Sequence, residues 1–150
     1  MPVGFGRKSI KSKGRPLHET VQTKRSIIRV KSNTNCLAHA LLIAIARLTN
    51  DPVYNSYRHG WKIGAAVQRL LETTGIDLQK GEGIPEIRQF QDHYTEYKII
   101  VYRSLNCEDI MFEEQVTSEK RVNLLYDEVN RHYHVIADLT GAMSKRYICL

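Results

Sequence analysis

The feature that most constrains this chain is the run CLAHALLIAIARL at residues 36–48, interrupted only by His39 and Arg47. Ala and Leu dominate it, and apolar side chains fall on nearly every face of a 3.6-residue helix. Such a helix must be enclosed by a domain rather than laid on its surface. Ser32-Asn33-Thr34-Asn35 supplies turn and N-cap residues immediately before the run, and Asn50-Asp51-Pro52 stops it. The run is too short for the roughly 20 residues that cross a bilayer.

Around this helix the period changes once. Ser26 to Lys31 alternates as a short strand. A second helix is expected from about Lys62 to Leu71, with Ile63, Val67 and Leu70 on one face and Gly75 closing it. A third, shorter helix follows Pro85 and carries Ile87, Phe90 and Gln91. From Tyr97 onward the pattern is strand-like: 97–102, 110–112, 121–126 and 132–137, separated by polar turns. Helices first and then an antiparallel meander make an α+β domain, expected over residues 26–150.

The net charge of +6 is unevenly placed. Residues 1–31 carry nine basic side chains against Glu19 alone, whereas the other 119 residues are close to neutral. Residues 1–25 are expected to form a basic, flexible leader, because their few apolar side chains cannot offset the entropy of ordering them. Arg7 to Arg15 fits a nuclear-localisation or nucleic-acid patch as well as it fits a solvated arm. Three cysteines, Cys36, Cys107 and Cys149, make no disulfide framework and point to a reducing, intracellular compartment, cytoplasmic or nuclear. The N-terminus has no apolar stretch of the kind that makes a secretory signal.

The chemistry centres on Cys36 and His132. Cys36 falls in the first turn of the enclosed helix, where free backbone N–H groups and the positive end of the helix dipole favour a thiolate. A buried structural cysteine is the alternative. Near the far end, His132 and His134 lie two apart on a strand and so share a face. A nucleophilic thiol needs a base, and the base needs a polar neighbour to fix its ring. His132 can be that base and His134 that neighbour, with Asp138 and Asn123 as further candidates.

The segment Asn33-Thr34-Asn35-Cys36-Leu37 with Ala40-Leu41 resembles the Asp-Gly-Asn-Cys-Leu motif of the ovarian-tumour (OTU) papain-like cysteine proteases. His132-Tyr133-x-Val135-Ile136 is similar to that family's closing strand, and the likeness spans approximately residues 31–140. The resemblance implies a deubiquitinase that attacks the isopeptide carbonyl at the C-terminus of ubiquitin or a ubiquitin-like modifier. In that reading Cys36 is the nucleophile, His132 the general base and His134 the orienting residue. Asn33 and Asn35 belong to the oxyanion loop, Asn33 standing where the family usually has Asp. No metal or cofactor is implied, and a monomer that contacts no membrane suffices. Ala38 replaces the aromatic usual after Cys-Leu, as in a divergent member. Because ubiquitin has a basic face, Glu82, Glu86, Glu113 and Glu114 are expected near the binding surface. Gly81-Glu82-Gly83 reads either as a loop beside the groove or as a plain turn.

A second resemblance runs from Lys120 to Tyr126, through Leu139 to Met143, and on to Tyr147-Ile148-Cys149. It is similar to segments of large open reading frames in virus-like Polinton/Maverick transposons, and it implies a domain cut from a longer protein. There a Cys/His-rich, zinc-binding stretch tends to follow, of which Cys149 would be the first ligand. Those elements also encode an adenovirus-like protease, but that type runs His before Cys. A zinc site from Cys36, His39, Cys107 and Cys149 has only one pair at finger-like spacing. Two non-catalytic readings remain open: a ubiquitin-binding OTU-like fold, and a nucleic-acid-binding domain in which the basic leader tracks phosphates and Tyr54, Tyr57, Trp61, Tyr94 and Tyr97 offer stacking surfaces.

Overall fold

The computed structural model describes residues 26–32, 34–106 and 108–142. The leader, Asn33, Cys107 and Cys149 lie outside the described residues, and with them the expectations placed on them. In chain order the elements are β1 (Ile27–Ile28), α1 (Cys36–Leu48), α2 (Tyr54–Arg58), α3 (Ile63–Thr74), α4 (Ile84–His93), β2 (Lys98–Tyr102), β3 (Ile110–Glu113), β4 (Arg121–Asp127), β5 (His132–Ile136) and α5 (Leu139–Ala142).

The helix that the apolar run demands is enclosed as expected: Leu37, Ala38, Ala40 and Leu41 are 0% exposed. It packs against β5, β4 and α3. The second helix keeps its predicted face, with Ile63, Val67 and Leu70 buried, and Gly75 at φ 71 ends it through its N–H to the Leu71 carbonyl. The helix after Pro85 is capped at its start by the Glu86 carboxylate, which accepts from the Gly83 N–H at 2.7 Å. Two short helices, α2 and α5, have too few turns to leave a periodic signal.

The five strands form one sheet in the order β1-β5-β4-β2-β3. The domain is α+β, but the sheet is mixed and not the antiparallel meander expected from sequence. The correction concerns β2 and β4, which run parallel with Lys98 opposite Arg121 and Tyr102 opposite Leu125. β3 pairs with β2 as an antiparallel hairpin and takes its outer edge. The chain therefore returns to the starting end of β2 and enters its free side, where the Lys98 N–H meets the Lys120 carbonyl at 2.9 Å. Strand propensity alone carries no information on which edge a later strand takes. The strand expected over Ser26 to Lys31 is shorter than predicted, because only Ile27 and Ile28 pair with β5.

Both faces of the sheet are covered. Ile99, Val101, Val122, Leu124, Tyr133 and Val135 join α1, α3 and α4 in the main core, while Ile27, Ile100, Tyr102, Leu125 and Ile136 meet α5 on the other face. Residues adjacent along β2, β4 and β5 therefore belong to opposite cores, as a period of two requires.

Gln91 joins the helical layer to the sheet. Its amide nitrogen donates to the Tyr97 carbonyl at 2.7 Å and the Tyr94 carbonyl at 3.1 Å, and its oxygen accepts from the Ile99 N–H at 2.8 Å. This side chain is 2% exposed, so water cannot replace those bonds. Gln91→Leu keeps the volume but strands buried backbone groups at the start of β2. Urea denaturation should show a loss of about 3 kcal/mol.

Candidate functional site around Cys36

Cys36 opens α1, but its surroundings differ from a primed nucleophile. Asn35 sits in the left-handed region at φ 54 and makes no side-chain cap. The first turn of α1 is left with N–H groups that need acceptors. Glu82 supplies one: its Oε1 accepts from the Leu37 N–H at 2.8 Å and lies 3.7 Å from the Cys36 Sγ. The Glu82 carbonyl in turn accepts from the Tyr133 hydroxyl. The Gly81-Glu82-Gly83 loop is thus tied to α1 by a side chain, to β5 by a carbonyl, and to α4 through the Glu86 cap.

The thiol also lies 3.9 Å from the Arg131 carbonyl, 95 positions along the chain and immediately before His132. The turn that delivers this carbonyl is built on Asp127. One of its oxygens accepts from the Val129 N–H at 3.1 Å and the Asn130 N–H at 3.4 Å, and the other from the Asn130 amide at 2.8 Å. Arg131 closes the turn at φ 51. Tyr133 and Val135 then point into the core that contains Cys36, so His132 and His134 lie on the opposite face of β5.

The structure brings the two histidines together, with ring centroids 4.6 Å apart. It does not join either of them to Cys36 by a hydrogen bond. Both are held by Val30, in the extended segment after β1. The Val30 N–H donates to His134 Nδ1 at 3.3 Å, and the Val30 carbonyl lies 2.7 Å from His132 Nε2. A carbonyl only accepts, so Nε2 of His132 carries a proton and Nδ1 is the nitrogen left to take one. The group orienting His132 is therefore a backbone carbonyl, where sequence analysis looked to His134. Asn123 and Asp138 make no hydrogen bond to His132 either; the Asn123 Oδ1 is buried without a partner.

Electrostatics follow from these contacts. Burial pushes the Cys36 thiol up to about 11, and the Glu82 carboxylate adds to the rise, while the Tyr133 backbone N–H pulls the other way. Burial lowers His134 to about 4, assisted by His132 and Arg29 and opposed by Asp127. Glu82 and Arg131, both near the thiol, also line an open cleft of about 570 Å³ together with Glu86 and Tyr126 among others; Cys36 itself is buried and does not line it. Of the four acidic residues expected to face a partner, Glu82 and Glu86 line this cleft. Glu113 pairs with Lys98 at 2.9 Å, and Glu114 pairs with Arg88 at 3.1 Å. His39, one turn along α1, is tied to the Asn35 carbonyl at 2.9 Å.

Sequence reasoning missed two participants. Glu82 was visible as a carboxylate between glycines, but nothing local places it at a thiol 46 residues away. Val30 acts through its backbone, which any residue could supply.

Two measurements check this picture. In a Cys107→Ser, Cys149→Ser background, Glu82→Gln should lower the alkylation midpoint of Cys36 below about 11. Burial is the larger cause, so the midpoint should stay above the roughly 8.5 of an open thiol. For His134, the unfolded chain takes up a proton near pH 6.5 and the folded chain only near 4. Between those values the unfolded state binds more protons. Stability should therefore be complete above pH 6.5 and fall, by on the order of 3 kcal/mol, as pH drops toward 4. His134→Gln, which keeps an acceptor for Val30, should flatten that slope in chemical denaturation.

No protein-family model, no curated protein and no solved structure matches this chain.

Proposed function

We propose that this chain is a latent OTU-like thiol hydrolase that cleaves (iso)peptide bonds at the C-terminus of ubiquitin or a ubiquitin-like modifier. The single observation that carries this reading is the meeting of the first turn of α1 with the first residues of β5. The Cys36 Sγ, itself 3% exposed, lies 3.9 Å from the carbonyl that immediately precedes His132, behind Glu82 and Arg131, which line an open cleft.

The latent character follows from Glu82. Its carboxylate holds the Leu37 N–H, a donor one residue after the thiol that would otherwise be free for the oxygen of an attacked carbonyl. Catalysis then requires Glu82 to withdraw and the His132 ring to reach the thiol. His132 takes the thiol proton on Nδ1, and the sulfur attacks the carbonyl carbon. The charge that develops on oxygen is taken up by the vacated N–H. The C–N bond breaks, the leaving amine receives the proton from His132, and water, deprotonated by the same imidazole, hydrolyses the thioester. In the resting structure the Val30 carbonyl holds His132 with its proton on Nε2, and the ring must leave that contact and the opposite face of β5 to reach the thiol. The acidic wall of Glu82 and Glu86 suits a basic partner surface.

A second reading is favoured by the raised thiol and the occupied N–H: an OTU-like domain that binds ubiquitin without cutting it. The two separate on incubation with ubiquitin bearing a C-terminal electrophile. An enzyme gives a covalent adduct that Cys36→Ala abolishes, His132→Ala slows by about a hundredfold or more, and Glu82→Ala accelerates. Reversible binding with no adduct in the wild type or in Glu82→Ala would leave only the binding domain.

A further inference from the structure

Charge is sorted along the fold in a way that the Cys36 site does not use. Residues 27–69 carry six basic side chains and a single acid, Asp51, for a net +5, whereas residues 70–142 carry seven basic and fourteen acidic ones, a net −7. Tertiary structure gathers part of the first set on one surface. Arg29 and Lys31, just after β1, face Arg58 and His59, at the end of α2, across an open groove of about 430 Å³. Lys31 also borders a second opening, lined by Ser32, His39 and Tyr57 among others. Among the described residues, neither opening is lined by an acidic one.

Beside these cations the fold displays an aromatic pair. The turn between α2 and α3 is fixed by the Trp61 N–H to the Ser56 carbonyl at 2.8 Å and the Gly60 N–H to the Tyr57 carbonyl at 2.9 Å, with Gly60 at φ +85. It holds the His59 and Trp61 rings 5.1 Å apart and leaves Trp61 61% exposed, next to the exposed Lys62. A ring of this size in water has no packing reason to be there. Exposed ring faces interleaved with cations suit one chemistry in particular: a strand whose phosphates meet the cations while its unpaired bases stack on the rings. A duplex hides its base faces, and an acidic peptide has no use for the aromatic pair.

We propose that the surface formed by Arg29, Lys31, Arg58, His59, Trp61 and Lys62 binds single-stranded nucleic acid. The leader adds seven basic side chains against Glu19 and joins the body at Ser26, one residue before groove-lining Ile27, so it extends the same charge along the chain. The inference does not rest on the Cys36 chemistry, although Arg29 and Lys31 flank Val30, whose backbone holds His132 and His134.

The test uses the full chain, whose only tryptophan is Trp61. Titration with a thymidylate oligomer should quench its fluorescence, and affinity should fall about tenfold or more between ~50 and ~200 mM salt. By anisotropy of a labelled oligomer, Trp61→Ala and Arg58→Glu should each weaken binding about tenfold. Trp61→Phe, which keeps a stacking ring, should retain most of the affinity. All three changes are at exposed positions, so circular dichroism should be unaltered. Absence of quenching, unchanged affinity in both Trp61→Ala and Arg58→Glu, or equal or tighter binding of the matching duplex would each overturn the proposal. Unchanged affinity in those two variants would assign any binding to the leader alone.

Discussion

The amino end of α1 is where the architecture of this protein is decided. A largely apolar helix can be buried over most of its length, but its first N–H groups cannot be buried without acceptors. Asn35 provides no side-chain cap, so the acceptor comes from Glu82, carried in from a loop between α3 and α4. The same loop accepts from Tyr133 on β5. One helix start thus fixes the relation of the helical layer to the sheet, and the thiol of Cys36 lies at their junction.

That solution has a chemical consequence. A helix start, taken alone, would stabilise a thiolate. Here a carboxylate is already seated on that end of the helix and the sulfur is buried, so the thiol is held in its protonated form. Two effects of opposite sign meet at one atom, and burial, the largest cause, decides the outcome. Under the proposed function, substrate would have to compete with the protein's own carboxylate. Binding energy spent on displacing Glu82 would couple recognition of the partner to assembly of the chemistry.

The histidines show a similar division. Alternation along β5 puts His132 beside His134 and turns Tyr133 into the core against α1. Val30 then uses both of its backbone groups on the two rings, which spares the sheet edge two unsatisfied groups and leaves His132 with one free nitrogen. Buried at 6% exposure, His134 acts as a neutral acceptor and as a source of acid sensitivity.

What the sequence determined by itself was local. The enclosed helix at 36–48, its stop at Asn50-Asp51-Pro52, the αL close at Gly75 and four of the five strands at close to their observed positions follow from side-chain period, propensity and turn residues that act within a few positions. The pairing of His132 with His134 on one face was legible for the same reason. Only the tertiary structure decided the parallel pairing of β2 with β4, the arrival of Glu82 at the Cys36 sulfur, the Val30 carbonyl behind His132 and the gathering of Arg29, Lys31 and Arg58 around one groove. Each joins groups tens of residues apart, several of them backbone atoms without side-chain identity. Loop-closure entropy and packing select such contacts, and neither leaves a periodic trace in the chain.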